Sequence, residues 1–390
     1  VGGSALRETT TGANNTAVGH AALLVNTTGS ENLASGVLAL AANTTGANNV
    51  GLGYDSLRAN TTASNNTAVG FRSLSANTTG TANTAVGTGA LITNTTASNN
   101  SALGVNALQV NTTGASNTAV GANALDSNTT ANHNTAMGHQ ALGANTTGTQ
   151  NTSIGSESMD ASTTGNNLTG LGFRALTGNT TGSGNTALGS LAMTTNTTGA
   201  ANTGVGQGAL AANTQASNNT AIGFNALQDN NTGQLNTALG VQALANNTTA
   251  SSNTSVGVNS MFTNTAGANA TAVGYLALFS NISSSNNVAI GHSAGFGITT
   301  GPNNTIVGTG AGGTITTKGG SMLFGFQANT SSVSASELVI GNSISGKGDN
   351  TGLIYPPGGG GIFNAGNTTV WQQTSDQRLK KNIVNSTIGL

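Results

Sequence analysis

Charged side chains gather near the end of this 390-residue chain, in the stretch WQQTSDQRLKKNI at residues 371–383. The whole chain has nine Lys and Arg residues, and three of them are Arg378, Lys380 and Lys381. By themselves these residues favour a plain interpretation, a charged and solvated segment that caps whatever precedes it. The concentration of charge still marks a change in the kind of sequence at this point of the chain.

Elsewhere the acidic side chains stand apart from one another. Glu157 and Asp160 are three positions apart, but no second carboxylate pair accompanies them. An enzyme that degrades glycans needs paired carboxylates, one of them tuned as a general acid. The chain is therefore not predicted to be an enzyme; the other isolated acids are Asp55, Asp126 and Asp229.

The composition excludes several classes of protein. Charged residues are 5% of the chain, where about 25% is usual. The net charge of −1 argues against a charge-driven coil and against nucleic-acid binding by phosphate neutralisation. There are no cysteines for disulfides or thiolate metal sites, and no apolar run approaches the roughly 18 residues of a membrane span. No cofactor and no metal are expected.

A short motif repeats along the chain with a fixed period. NTAVG occurs at residues 15–19, 66–70, 83–87 and 117–121, and its last glycine recurs with an unbroken 17-residue period from Gly2 to Gly325. The next candidate, Gly341, comes one position early, which predicts a slip in register there. With the repeated glycine as position 0, the consensus is N-T-A-V-G-x-x-A-L-x-x-N-T-T-G-x-x. The chain begins at Val1 inside the array, without Met, and is expected to be a piece of something longer.

A fixed period without insertions predicts a solenoid, in which each repeat forms one rung and equivalent positions form columns. N-T-A-V-G is short, β-branched and ends on glycine, so it predicts a strand that runs into a turn. N-T-T-G indicates a second turn. The segment x-x-A-L-x-x allows either a short strand or one helical turn. The predicted fold is an all-β solenoid or β-roll with 17-residue rungs.

The predicted core is thin. Each rung offers two large apolar side chains, at positions −1 and +4, and full burial of each contributes roughly 1.5–3 kcal/mol. Ordering the backbone costs about 1–2 kcal/mol per residue. This balance favours a homotrimer, three chains wound around one axis, over a monomeric solenoid.

Asn-Thr-Thr recurs at position +7 and matches the acceptor signal for N-glycosylation. The alternative is an Asn ladder, in which stacked side-chain amides bond from rung to rung. We favour the ladder.

Position +1 carries a mixed set of side chains. His20, His139 and His292 lie seven and nine rungs apart there, too far to share a metal ion within one chain. Aromatic rings at +1 could stack on sugar rings if they are partly exposed. Packing between chains is the alternative for these rings, which belong to Tyr54, Phe71, Phe173, Phe224 and Tyr275.

The repeat resembles the head repeats of trimeric autotransporter adhesins, although their period is shorter. It resembles still more the NTAVG and NTTG arrays of bacteriophage tail fibres, over residues 1–327. This resemblance implies a fibre of the virion surface that attaches to a host cell-surface glycan or receptor and joins other tail proteins.

The stretch TSDQRLKKNI at residues 374–383 resembles the start of the self-cleaving intramolecular chaperone of phage tail fibres and tailspikes. In that family the chaperone aligns three chains and then cuts itself off beside a serine. The family spacing implies a Ser–Lys dyad at Ser375 and Lys380, with the cut beside Ser375 and Asp376. A neutral lysine can act as the base that a serine nucleophile needs.

These inferences divide the chain into three parts. Residues 1–327 form the repeat shaft, residues 328–375 a neck or tip with a Pro/Gly break at 356–361, and residues 376–390 a stub of the chaperone whose body is absent. Trp371 is expected to pack in the tip. We expect a virion-surface or extracellular attachment fibre with at most one self-cleavage event. The alternatives are a cellular extracellular filament or trimeric adhesin and, last, an ice-binding solenoid.

Overall fold

The computed structural model describes residues 2–332, 336–356 and 360–364, together with the backbone of residues 372–373. Within these ranges every regular element is a β-strand and none is a helix. The chain divides into two compact units, Val1–Ser217 (the N-terminal unit) and Asn218–Leu390 (the C-terminal unit). The predicted all-β solenoid with 17-residue rungs is confirmed, and the homotrimer stays a prediction.

The N-terminal unit contains twelve short strands, one in each rung. They are β1 (Thr16–Val18), β2 (Leu33–Ser35), β3 (Val50–Leu52), β4 (Thr67–Val69), β5 (Thr84–Val86), β6 (Ser101–Leu103), β7 (Thr118–Val120), β8 (Thr135–Met137), β9 (Thr152–Ile154), β10 (Thr169–Leu171), β11 (Thr186–Leu188) and β12 (Thr203–Val205).

The C-terminal unit continues the same pattern and then departs from it. Its strands are β13 (Thr220–Ile222), β14 (Thr237–Leu239), β15 (Thr254–Val256), β16 (Thr271–Val273), β17 (Val288–Ile290), β18 (Thr305–Val307), β19 (Met322–Phe324), β20 (Glu337–Gly341), β21 (Thr351–Tyr355), β22 (Ile362–Asn364) and β23 (Gln372–Gln373).

Within each unit, successive strands pair in parallel and in register. Thr169 of β10 pairs with Thr186 of β11, one full period later, so each rung rises by the interstrand spacing of about 4.8 Å. In the C-terminal unit the step shortens by one position where Met322 pairs with Leu338, which confirms the predicted slip. After β21 the pairing becomes antiparallel, through β22 and β23.

Each three-residue strand turns only its middle side chain inward. Ala85 and Ala119, at position −2, are fully buried, whereas Val18 and Leu103, at position −1, are 48% and 51% exposed. The prediction that position −1 belongs to the core was wrong, because adjacent strand residues point to opposite faces. At Gly170 of the N-terminal unit, also at −2, the interior is tight, because an added Cβ would lie 3.1 Å from the Met159 side chain. In the C-terminal unit, Ile306 and Leu323 are fully buried at the same position.

The segment after the repeated glycine is neither a strand nor a helical turn. Leu23 and Leu40, at position +4, have φ angles of 48° and 51° and are fully buried. A left-handed backbone is costly for leucine. Burial of the leucine side chain and hydrogen bonds between rungs offset that cost, such as the bond from the Leu23 N–H to the Ala39 carbonyl at 3.1 Å. Position +4 therefore supplies most of the large apolar core.

The repeated glycine is required by its backbone and by its neighbour. Gly19 has a φ of 129°, and a Cβ there would lie 2.5 Å from the carbonyl oxygen of Gly36 on the next rung. No larger residue fits this approach without moving the rung.

Two columns of buried asparagines bond the rungs together. At position +7, the Asn43 Nδ2 donates to Asn26 Oδ1 at 2.8 Å and to the Gly46 carbonyl at 2.9 Å. At position −4, the Asn49 N–H donates to Asn32 Oδ1 at 3.0 Å, and its Nδ2 reaches the Ala63 carbonyl at 2.9 Å. The predicted Asn ladder is confirmed at +7, and the column at −4 adds a second ladder. Asn26 and Asn43 are fully buried, so their side-chain amides are not accessible for the alternative, N-glycosylation.

Candidate binding surface

The outward side of the strands forms one continuous surface in each unit, here called the strand face. It consists of positions −3 and −1 of every strand, the two side chains that flank the buried alanine. Threonine predominates at −3, and Val, Leu, Ile or Met predominates at −1. The −1 side chains are one-third to one-half exposed at many rungs, for example 44% at Met137, 43% at Leu171 and 45% at Leu239.

The predicted aromatic residues of position +1 lie beside the strand face and are partly exposed, as expected. Their exposures are 46% for Tyr54, 50% for Phe71, 50% for Phe173, 45% for Phe224 and 47% for Tyr275. They do not form a single site. Tyr54 and Phe71 are on consecutive rungs, and Phe173 is six rungs further along the N-terminal unit.

Stacking within the column restricts what these rings can bind. Tyr54 and Phe71 lie with their centroids 5.5 Å apart and their planes at 12°. Tyr275 is tilted by 35° against His292, at a centroid distance of 5.2 Å. Each paired ring has one face turned toward its neighbour in the column, which leaves less aromatic surface on which a sugar ring could stack.

A longer aromatic column, not predicted from the sequence, lies at position +5 of the C-terminal unit. Phe279 stacks between Phe262 and Phe296, with centroid distances of 5.5 Å and 5.3 Å and interplanar angles of 7° and 4°. The 17-residue spacing between these phenylalanines is visible in the sequence and is the signal that indicates this column. Both faces of Phe279 are covered, so this column presents ring edges to a ligand.

Two of the acidic residues, Glu157 and Asp160, form a small charged cluster with Arg174. Arg174 Nε lies 3.3 Å from Glu157 Oε2. The pKa of Asp160 is raised by burial and by the neighbouring Glu157 carboxylate, and Arg174 partly offsets this rise. Burial also raises the pKa of Asp126. Of these acids, Glu157 forms the ion pair with Arg174.

A cavity of about 290 Å³ lies on the side of Arg174, lined also by Thr177, Leu191, Thr194 and Thr195. Its lining contains no carboxylate. Among the residues placed by the structure, no group of three or more His, Cys, Asp and Glu could hold a metal ion. The cavity therefore offers a small polar recess without the paired acids of a hydrolase.

The predicted self-cleavage residues Ser375, Asp376 and Lys380, together with Trp371, lie outside the described residues. The dyad stays a prediction from the resemblance.

Neither a protein-family model, nor a curated protein, nor a solved structure matches this chain. Across the described ranges, no helix has the length and apolar character needed to cross a membrane.

Proposed function

We propose that this chain is the shaft of a viral attachment fibre, a phage tail fibre, displayed on the virion surface. The observation that carries the proposal is the uninterrupted stacking of equivalent rungs. Twelve strands of the N-terminal unit follow one another at a constant 17-residue step, and no rung carries an insertion. Such a chain suits a spacer better than a reaction centre, because the rungs of the N-terminal unit repeat nearly the same small interior.

The buried amides support a mechanical role. Each ladder asparagine bonds to the rungs beside it, so pulling two rungs apart would break backbone and side-chain hydrogen bonds together. A buried polar group that loses its partner costs about 1–3 kcal/mol. A homotrimer of such shafts would share any load among three chains.

Attachment would use weak sites repeated along the fibre. Exposed rings such as Phe71 and Phe173 offer faces for a host-surface glycan. Linked copies raise the effective concentration of each site, so weak contacts add up to firm attachment. Other virion tail proteins would hold the opposite end of the fibre. Maturation would include one cut beside Ser375, with Lys380 as the base.

A cell-binding experiment tests the attachment. The labelled chain is incubated with intact bacterial cells of several strains, with and without removal of their surface polysaccharide, and the bound fraction is measured after pelleting. We expect saturable binding to some strains and its loss with the polysaccharide. Binding no greater than that of an unrelated protein of equal size, on every strain, would contradict the proposal.

A further inference from the structure

The strand face of the N-terminal unit carries no charged side chain. All ten charged side chains of this unit lie in other columns, at positions +2, +5, +6 and +12. Positions −3 and −1 of β1–β12 carry Thr, Ser, Val, Leu, Ile and Met only. The strand face therefore exposes an aliphatic column with no charged side chain beside it. Depletion of charge around exposed apolar residues is typical of the centre of a protein–protein interface.

The strand face of the N-terminal unit approaches the size of a specific contact. Three residues of strand measure about 10 Å, and twelve strands at about 4.8 Å extend for about 58 Å. The planar area is therefore about 580 Å² at these spacings. This is close to the lower end of the roughly 600–1,000 Å² that each partner contributes to a stable interface. Strands β13–β19 present the same two columns in the C-terminal unit.

We propose that the strand face is the surface on which copies of this chain pack against one another. A second copy fits because its columns have the same spacing, so aliphatic column can meet aliphatic column at every rung. The two faces carry no charge, so no like charges are brought together. The outward threonine hydroxyls flank the aliphatic column and can bond across the contact or to water.

Other occupants match the surface less well. A glycan needs ring faces or a dense set of polar groups, and the −1 column is aliphatic at nearly every rung. An ordered water lattice needs a regular array, whereas the −1 column changes among Val, Leu, Ile, Met and Ser. A second copy tolerates these changes, because the same change occurs in both partners.

This inference deepens the homotrimer of the proposed fibre and rests on it for the number of copies. It does not depend on what the fibre attaches to. If the chain does not bind cells, the proposal that copies pack through the strand face still stands. If copies do not pack through the strand face, the cell-binding experiment still tests attachment.

The first test uses the absence of cysteine from the chain. Leu103→Cys places a thiol on the strand face, where Leu103 is 51% exposed. Val110→Cys is the matched control at position +6, where Val110 is 37% exposed. With a short bismaleimide we expect at least about tenfold more cross-linked dimer from Leu103→Cys, since chains in one assembly meet at a high effective concentration. Equal cross-linking of the two variants would overturn the proposal.

The second test measures mass by sedimentation equilibrium. The unaltered chain should have a mass of at least twice the 37.8 kDa of one chain. Leu103→Lys combined with Leu171→Lys should lower the mass toward that of one chain, because lysine ammonium groups would be buried without partners. Val110→Lys should leave the mass unchanged. Circular dichroism of the double variant should still show β-structure, because both side chains point outward. A monomeric unaltered chain, or a folded double variant with undiminished mass, would refute the assignment.

Discussion

Ser162 stands where a ladder asparagine would stand, one rung after Asn145, and the buried Oδ1 of Asn145 has no hydrogen-bond donor. The Nδ2 of Asn145 is fully used, with Asn128 Oδ1 at 3.0 Å and the Gly148 carbonyl at 3.0 Å. Elsewhere in this column the next asparagine supplies the missing donor, as Asn43 does for Asn26. The interruption leaves one unsatisfied acceptor inside the N-terminal unit.

Ser162→Asn should repair this ladder. The new Nδ2 would donate to Asn145 Oδ1, and satisfying a buried acceptor should raise the free energy of unfolding by about 1 kcal/mol. Urea unfolding followed by circular dichroism measures the change. Ser190→Asn, on the outward +1 column, is the control and should change little. If Ser162→Asn destabilises the protein, the space beside Asn145 is already filled and the repair model is wrong.

Asn111→Ala tests the opposite change, removal of a complete ladder member. Asn111 Nδ2 bonds to Asn94 Oδ1 at 3.0 Å, and Asn111 Oδ1 accepts from Asn128 Nδ2 at 2.8 Å. The substitution strands two buried groups at a cost of about 1–3 kcal/mol each. Unfolding in urea should therefore occur at a clearly lower concentration. Thr113→Ala, at an exposed position of the same turn, is the control and should have nearly no effect. Equal destabilisation by the two substitutions would show that the ladder does not contribute to stability.

The stack of Phe262, Phe279 and Phe296 should stabilise the C-terminal unit unequally. Phe279 contacts two rings and Phe296 one. Each aromatic pair contributes about 0.5–1.5 kcal/mol beyond burial, so Phe279→Ala should cost more than Phe296→Ala by about one such pair. Unfolding free energies of the two single variants and the double variant give the coupling. The stack would have no energetic role if the two substitutions proved additive.

Asp160 and Asp349 should give stability a pH dependence of opposite sign. Burial and the neighbouring Glu157 carboxylate raise the pKa of Asp160, and the smaller effect of Arg174 lowers it. Its stabilising contribution is therefore present below its unfolded pKa of 3.8 and is lost as the pH rises through the folded value. Asp160→Asn should raise the melting temperature at pH 7, with the difference fading below about pH 3.8.

For Asp349 the direction reverses. The Ser336 N–H and then Lys318 lower the pKa of this carboxyl, so its contribution is present above 3.8 and is lost as the pH falls through the folded value. Asp349→Asn should lower the melting temperature at pH 7 and have little effect in acid. Melting curves of both variants from pH 2 to pH 7 provide the check. Parallel curves for the two variants would contradict both assignments.

The self-cleavage prediction needs the whole reading frame that encodes this chain. Expressed in that form, the protein should be cut beside Ser375, and Ser375→Ala and Lys380→Ala should both stay whole, because one removes the nucleophile and the other its base. Mass spectrometry under denaturing conditions gives the masses of the products. Thr374→Ala, next to the nucleophile, should still be cut. Cleavage of all three variants would contradict the prediction that Ser375 and Lys380 form a catalytic dyad.

The periodic part of the fold was predictable and the directions of its side chains were not. The 17-residue step and the slip near Gly341 follow from spacing, and the strand over N-T-A-V-G follows from its β-branched residues and final glycine. The sequence could not separate Val18 from Leu23, because both columns are equally apolar. Which of them faces inward depends on Ala17, which occupies the inner position of the strand and so turns Val18 outward.

The left-handed backbone of the leucines at position +4 could not be predicted from the sequence for a related reason. Positive φ angles are associated with Gly, Asn and Asp, whose side chains tolerate them locally. Leu23 and Leu40 adopt the same backbone because stacked rungs and a buried side chain impose it. Packing between rungs determines the backbone conformation of this segment, so the sequence of a single rung does not predict it.

The constant step between rungs also affects how such a chain can evolve. Because Thr169 meets Thr186 in the same way that Thr186 meets Thr203, a duplicated or deleted 17-residue block finds a matching neighbour on either side. Unequal recombination between near-identical stretches of the gene could then add or remove rungs, each worth about 4.8 Å of length. The length of the solenoid can therefore change by whole rungs in evolution, while the pairing between neighbouring rungs stays the same.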